Sequence, residues 1–211
     1  MIGAALSAAA VRDPEEARRR FDREFSAQIF ALKRHDCPKM IVRTLEKKRP
    51  QVIARAGGMI PSGSKRVSFL PIIPSNRLSV REQLSMVKNG NIPGCTRLDT
   101  AYITNLELVP EEEYFIFSIE DGTKTLGWTP IFGEKVFKAQ PNRRGLSVPE
   151  IISLCRHTDV ISRQNIDAIL SKLKDKVPFL WLVEREPRLC ADKMTTSDPR
   201  WGIPSCNSVV I

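Results

Sequence analysis

The carboxyl-terminal segment, residues 177–211, reads VPFLWLVEREPRLCADKMTTSDPRWGIPSCNSVVI. Its opening run, residues 177–183, is apolar and rich in aromatic and branched side chains, which predicts a strand that lies centrally in a sheet. The polar stretch that follows contains Cys, Asp, Arg and Trp, and a chain end of this kind frays unless something fixes it. We therefore expect the tail to fold back onto the domain, with Trp201 as its anchor.

The next clear β signal lies upstream, in YFIFSIEDGTKTLGW, residues 114–128. Two runs of aromatic and β-branched residues are joined there through Asp121-Gly122, a dipeptide typical of tight hairpin turns. The run VSFLPIIP has strand composition, but Pro71 and Pro74 restrict it to an edge strand or an extended segment. A small, mainly antiparallel sheet built from the 114–128 hairpin and the strand at 178–183 is therefore predicted.

Capping residues predict two helices in this part of the chain. Ser79 and Glu82 form an S-x-x-E capping box, and we expect that helix to end at Asn89-Gly90, where glycine supplies a left-handed cap. Ser147 opens the other helix, with Pro149 in its first turn.

Two further helices are predicted from proline placement and apolar spacing. Thr129 followed by Pro130 indicates a helix over residues 130–139, and a second helix is expected near residues 162–173. The side chains expected to face inward are Ile131, Phe132 and Val136 in the first helix and Ile166, Ile169 and Leu170 in the second.

The amino-terminal part carries helical patterns instead. Asp13-Pro14-Glu15-Glu16 combines a cap, a first-turn proline and acidic residues, as helix starts prefer. Pro38 should end this helix, and Pro50 should break a second helix that begins near Lys39. The apolar positions expected to pack inward are Phe21, Phe25, Ile29 and Leu32 in the first helix and Met40, Ile41, Leu45 and Val52 in the second.

These patterns divide the chain into three parts. Residues 1–58 form a basic helical arm, residues 59–65 form a linker rich in glycine, serine and proline, and residues 66–211 form an α+β domain. The predicted fold class is α+β, with the sheet covered by helices and the arm either packed on its outside or projecting.

Length and composition favour one globular unit with an appendage. The chain has 211 residues, 42% of them hydrophobic, which suffices for one sizeable core. No apolar run approaches the roughly 18 residues that a membrane helix requires, so we expect a cytoplasmic protein without a membrane partner. The five cysteines are an odd number without the close spacing of a disulfide framework, which fits a reducing compartment.

The positive charge is concentrated in the arm. The net charge is +9, and residues 1–58 hold thirteen Lys and Arg against seven Asp and Glu. A charge excess confined to one helical segment indicates a partner for that segment. One hypothesis is therefore that residues 12–55 contact nucleic acid or an acidic protein surface, and the alternative is that these helices simply carry a solvated basic face.

The order of motifs resembles a family of bacterial domains of unknown function. The resemblance covers roughly residues 68–206 and rests on FLPIIP, an LD pair, LGWTP, LSVPE, VPFLWL and a terminal W-G-x-x-S-C. Its most specific parts are the VPFLWL strand, Trp201-Gly202 and Ser205-Cys206. The resemblance implies a compact, soluble bacterial domain, and it brings no catalytic residues to this chain.

Cysteine and histidine supply the candidates for chemistry. Cys190 and Cys206, with Cys155 and His157, have the side-chain types that bind zinc, but they lack the paired spacing of structural zinc sites. A cysteine-dependent enzyme would use Cys206 or Cys190 as nucleophile and His157 as base, oriented by an aspartate such as Asp192. Buried cysteines and a helix-capping histidine are the competing interpretation.

The tail also carries candidates for ligand binding. Arg188, Asp198, Arg200 and Trp201 would place guanidinium groups beside an indole, an arrangement suited to a carboxylate or phosphate ligand. Internal salt bridges are the alternative use of the same charges. The leading hypothesis is a non-catalytic binding or protein-interaction module that uses the folded tail, with the enzyme and the nucleic-acid interpretations as rivals.

Overall fold

The computed structural model describes residues 14–59, 67–208 and 210–211. The expected cap at Asp13 and the predicted linker, apart from residue 59, lie outside these ranges, so the division of the chain at the linker stays a prediction. Within the described ranges, no helix is both long and apolar enough to cross a bilayer.

Seven α-helices and thirteen strands occur in the described residues. The helices are α1 (Pro14–Arg34), α2 (Lys39–Lys47), α3 (Arg49–Gly57), α4 (Val80–Ser85), α5 (Pro130–Lys138), α6 (Val148–His157) and α7 (Val160–Arg163). The strands are β1 (Phe69–Ile72), β2 (Lys88–Asn89), β3 (Ile92–Pro93), β4 (Cys95–Thr96), β5 (Ile103–Asn105), β6 (Tyr114–Phe117), β7 (Arg143–Gly145), β8 (Asn165–Asp167), β9 (Ser171–Leu173), β10 (Lys176–Val183), β11 (Glu186–Lys193), β12 (Trp201–Gly202) and β13 (Ser205–Asn207).

The predicted α+β class is confirmed, although the main sheet is mixed. Strand β10 pairs antiparallel with β8, β9 and β11, while β4 adds to β11 and β12 adds to β8 in parallel. The run at 177–183 therefore lies centrally, as its apolar composition predicts. Strand β5 pairs antiparallel with β9 and makes this a seven-stranded sheet, and three two-stranded pairs, β1–β6, β7–β13 and β2–β3, complete the strands.

The helical arm packs against the ribbon formed by β1 and β6. The predicted apolar stripe of α1 is buried, and the Phe25 ring stacks on Phe115 with centroids 5.5 Å apart. Phe69 meets Phe115 edge-on, at 6.1 Å. The predicted break at Pro50 is confirmed because α3 begins one residue earlier, but Met40 points to solvent instead of inward. The arm is thus packed and does not project.

The predicted 114–128 hairpin is wrong. Strand β6 pairs with β1, and the residues after Asp121-Gly122 form a 3₁₀ turn at Thr123–Thr125 instead of a second strand. Gly122 has the expected positive φ, +92°. The Thr125 hydroxyl accepts a hydrogen bond from the Ile203 amide and can donate to the Gly122 carbonyl, so this segment is held by the tail and not by β6.

Two helix predictions also need correction. Helix α4 ends at Ser85, and Gly90, with φ +63°, forms the turn of the β2–β3 hairpin instead of a helix cap. The helix expected at 162–173 is only α7, after which β8 and β9 follow. The apolar residues in that stretch are buried by strand pairing with β10 instead of by helical packing.

A backbone crossing at Gly202 is expected to be intolerant of a side chain. A Cβ on Gly202 would lie 2.4 Å from the Gly122 carbonyl oxygen, a contact that only backbone movement could relieve. Gly202→Ala should therefore lower the free energy of unfolding by roughly 1–3 kcal/mol, measured by urea denaturation. Gly57→Ala is the control, because a Cβ there meets no atom within 4 Å. Equal midpoints for the two variants would contradict the crossing.

Candidate functional site

The carboxyl-terminal tail is an ordered part of the structure. Trp201 begins β12, its side chain is only 9% exposed, and its ring lies 4.6 Å from that of Phe179 on β10. Farther along, β13 pairs with β7. The prediction that the tail folds back with Trp201 as its anchor is confirmed.

Several predicted site residues lie on one face of the main sheet. Residues directly opposite each other in paired strands project from the same face. Phe179 lies opposite Asp167 on β8 and Cys190 on β11, and the next row places Trp181 opposite Arg188. We call this the outer face, because the alternate residues, such as Leu180, point into the main core under α6.

The outer face contains buried polar atoms without hydrogen-bond partners. These atoms are Oδ2 of Asp167, Nδ2 of Asn165 and Nε1 of Trp181. Burial, with a smaller contribution from the charge of Asp192, raises the pKa of Asp167 to about 7. The carboxyl group therefore changes its charge near neutral pH instead of near pH 4.

The predicted ligand-binding charges are already paired within the tail. Asp198 accepts hydrogen bonds from the Arg200 amide at 2.8 Å and from its Nε at 3.3 Å. These contacts lower the pKa of Asp198. Arg188 binds Glu186 on the same strand. The structure thus brings Arg188 and Trp201 to the outer face, whereas Asp198 and Arg200 form an exposed turn at its edge.

The catalytic candidates are not assembled. Cys206 is fully buried in the main core with α6, whereas Cys190 and Asp192 lie on strand positions that face the other way. Burial, with the charge of Glu150, raises the pKa of Cys206, so its thiol stays protonated at neutral pH. His157 ends α6 beside Arg156.

The zinc candidates are likewise separated. Among the residues that the structure describes, no group of three or more His, Cys, Asp or Glu side chains is placed to hold a metal ion. Cys155 is buried in the main core, and all five cysteines are free thiols. No cofactor was predicted from the sequence, and zinc at Cys190 or Cys206 stays an untested alternative.

A patch of exposed apolar side chains lies beside the tail and was not predicted. Leu126, Ile131 and Phe132 are 40%, 52% and 48% exposed, and half-buried Trp128 meets the Phe132 ring edge-on at 4.8 Å. We call these four residues the tail patch. Hydrogen bonds join the two segments, from the Gly127 amide to the Trp201 carbonyl at 2.9 Å and from the Ile131 amide to the Met194 carbonyl at 3.1 Å.

The tail patch is exposed because α5 turns its other side inward. The predicted inward positions of Ile131 and Phe132 are wrong, and Val136 is only half-buried, since the buried positions are Pro130, Gly133 and Phe137. A Cβ on Gly133 would lie 2.3 Å from Cδ1 of Ile203, so a side chain here would force Ile203 to move. The spacing of Pro130, Gly133 and Phe137, three and then four residues, is the sequence signal that identifies the buried side.

The basic residues of the arm face solvent, as expected for either interpretation of its charge. Arg18, Arg20 and Arg23 are exposed on α1, and Arg49 pairs with Asp22 at 2.9 Å. Contact between residues 12–55 and nucleic acid stays a prediction. Because α1 to α3 share a core with β1 and β6, a test of it requires substitution of these arginines and not deletion of the arm.

A scan against protein-family models finds no match, and searches of curated proteins and of solved structures find none either. The resemblance of residues 68–206 to a bacterial family therefore stays an expectation.

Proposed function

We propose that the protein is a non-catalytic protein-interaction module of the bacterial cytoplasm that binds a partner through the tail patch. The observation that carries this proposal is the exposure of three large apolar side chains, Leu126, Ile131 and Phe132, within seven residues of sequence and beside an ordered tail. Scattered apolar residues are normal on a surface, but a contiguous group of them is typical of a binding site.

The residue types of the tail patch fit a protein partner. Trp and Phe supply large contact areas with few rotatable bonds, and such residues dominate the binding energy of most interfaces. The patch is also rigid, because the tail and α5 are hydrogen-bonded to each other and Gly133 packs against Ile203. A preorganised surface loses little entropy on binding.

The surroundings of the patch favour a partner with an acidic rim. Lys135 on α5 and Lys193 at the end of β11 are exposed, and Arg200 keeps its guanidinium largely in solvent. The chain has a net charge of +9, so an acidic partner would also be steered towards it. The inferred partner is a protein segment with an apolar anchor residue flanked by Asp or Glu.

The state of the cysteines supports a binding role over catalysis. A cysteine nucleophile requires a thiolate and a nearby base, but the thiol of Cys206 is buried and has a raised pKa. His157 contacts Arg156 and not a thiol. Five free cysteines also fit the reducing environment of a cytoplasm.

Photo-crosslinking tests the proposal in cells. A benzoylphenylalanine residue at position 132 should give a specific covalent adduct, whereas the same residue at position 30 should not, because Phe30 is exposed on α1 and α1 shares its core with β1 and β6 and not with α5. Phe132→Asp should then weaken binding of the captured partner at least roughly 30-fold, the effect of a hot-spot residue worth 2 kcal/mol.

Comparison of the adducts at the two positions also shows which result would contradict the proposal. Equal adducts at 132 and 30, or none at 132, would contradict a partner surface at the tail patch. An adduct between two copies of the chain would identify self-association, which light scattering during gel filtration would check.

A further inference from the structure

Both histidines of the chain lie near one arginine, Arg156. His35 follows α1, and His157 is the last residue of α6. Arg156 Nε lies 3.4 Å from His157 Nε2, within hydrogen-bonding range, and His35 acts electrostatically on His157. Lys88, on β2, adds a further positive charge near His35. The two imidazoles and the guanidinium come from opposite layers of the fold, because α1 belongs to the arm and α6 covers the main sheet.

The guanidinium of Arg156 is buried without a partner for its outer nitrogens. Neither Nη1 nor Nη2 makes a hydrogen bond, and Nδ1 of His35 is also buried and unpaired. Burial lowers the pKa of Arg156 to about 10, which leaves the group charged at neutral pH. A buried charge of this kind is costly to fold unless an opposite charge compensates it.

Arg144 is a second largely buried arginine in this protein, and its positive charge is compensated by a carboxylate. Its side chain is only 11% exposed, and both Nη atoms donate to the Glu150 carboxylate, at 2.9 and 2.6 Å. No carboxylate occupies the equivalent position at Arg156 among the described residues. The two outer nitrogens of Arg156 thus keep their donor capacity, whereas those of Arg144 use it on Glu150.

The charges around the cluster are mainly positive. Arg34 and Lys88 face His35, together with Arg156, and Asp36 is the acid that acts on it. Cys37 lies near Arg156, but burial raises the pKa of its thiol to about 11, so it supplies no negative charge at neutral pH. Glu113 acts on Cys37 and is paired, through one of its oxygens, with Arg77.

We propose that Arg156, His157 and His35 form a binding site for a small oxyanion of the phosphate class, either free phosphate or the phosphate group of a small ligand. The two free Nη atoms provide the planar fork that binds two oxygens of such an anion, and imidazole N–H groups can donate to a third. Both histidine residues are half-buried, so each keeps part of its surface accessible to solvent. This site is independent of the proposed partner surface.

Thermal unfolding in phosphate tests the site directly. Inorganic phosphate should raise the Tm of the intact protein above its value in sodium chloride of equal ionic strength, and it should shift the ring-proton NMR signals of His35 and His157. Arg156→Gln should bind phosphate at least tenfold more weakly. Because this variant also removes an uncompensated buried charge, its Tm without phosphate should be equal to or higher than that of the parent protein.

Arg163→Gln is the matched control, since Arg163 is exposed and paired with Asp121 and Asp159. It should keep the full phosphate response. A parent protein whose Tm and histidine signals respond alike to phosphate and chloride would overturn the proposal, as would an Arg156→Gln variant that responds like the parent.

Two further measurements cover an Arg156→Gln variant that does not fold and identify the source of the anion. If Arg156→Gln unfolds in the absence of phosphate, Arg156 has a structural role, and Arg156→Lys replaces it as the test variant. Lysine keeps the positive charge but lacks the two Nη donors. The proposal fails unless Arg156→Lys folds and binds phosphate more weakly than the parent protein does. Titration with phenyl phosphate alongside inorganic phosphate distinguishes the two sources of the anion. Tighter binding of the ester would indicate a phosphorylated ligand, and equal or weaker binding would indicate free phosphate.

Discussion

Replacing Glu150 by alanine is expected to lower the free energy of unfolding by roughly 3–5 kcal/mol. The carboxylate is fully buried and accepts hydrogen bonds from the Tyr114 hydroxyl at 3.0 Å, from Arg144 and from the Ser147 amide at 2.8 Å. Its removal would leave a buried guanidinium without a counter-charge and a buried hydroxyl without an acceptor. Because Arg144 and Tyr114 lie on β7 and β6, the loss would weaken the contact of α6 with both.

The same capping motif at the surface provides the control. Glu82 accepts a hydrogen bond from the Ser79 amide at 3.0 Å, in a capping box like that of Ser147 and Glu150, but it is exposed. Glu82→Ala should therefore lower the urea midpoint much less than Glu150→Ala does, because water can replace the lost contacts of an exposed carboxylate. Similar losses for the two variants would show that the buried ion pair adds nothing to the cap.

The contribution of Glu150 should also depend on pH. Burial opposes its ionisation, but the hydrogen bonds and charge of Arg144 and the Ser147 amide outweigh burial and hold the pKa below its ordinary value of 4.5. The folded state thus binds this proton less tightly than the unfolded state does. The stabilisation is present above the unfolded pKa and is lost as the pH falls through the folded pKa.

Asp167 should give the opposite dependence on pH and a comparably large effect. Its pKa rises from 3.8 to about 7, mainly through burial, so the folded state binds the proton more tightly than the unfolded state. Stability should therefore fall as the pH rises between these values, by roughly 3–5 kcal/mol in all. Asp167→Asn should remove this fall, because its amide carries no charge.

The measurement is the difference in unfolding free energy between the parent protein and Asp167→Asn from pH 4 to pH 8. The difference is used because the parent protein has a second pH effect. The pKa values of His35 and His157 are lowered, so these residues make the protein less stable as the pH falls, and both variants share this effect. Asp159→Asn is the control, since that side chain is exposed. A parent curve parallel to that of Asp167→Asn would mean that the carboxyl group titrates near its ordinary pKa.

Local chemistry predicted the helix starts well. Ser79, Thr129 and Ser147 precede helices as expected, because a cap depends only on residues within one turn of it. The stripe on α1 and the strand at 177–183 were also predictable, since each carries a long and consistent apolar pattern.

The predicted 114–128 hairpin and the predicted helix near 162–173 are wrong because these segments pair with strands elsewhere in the sequence. Tyr114–Phe117 has strand composition, but nothing near it in sequence reveals that its partner is β1 and not the run after Gly122. Residues 164–173 have apolar spacing that fits a helix, but they contain β8 and β9, which pair with β10 in the main sheet. Such outcomes depend on hydrogen bonds between residues far apart in the chain, which periodicity does not encode.

The candidate sites were predictable only in part. The composition of the tail indicated that Trp201 would be ordered, but the exposed side of α5 depends on the contact between Gly133 and Ile203. The nearness of His35 to Arg156 had no local signal, because the two residues lie far apart in the sequence. A sequence pattern cannot show that a buried arginine lacks a carboxylate.

The shared core of the arm and the β1–β6 ribbon has a consequence for synthesis on the ribosome. Phe25 leaves the exit tunnel long before Phe115, its stacking partner, has been translated. At ordinary elongation rates the nascent helices would expose their aromatic side chains for a time on the order of ten seconds. During that interval, this segment would be a natural substrate for chaperones that hold emerging chains.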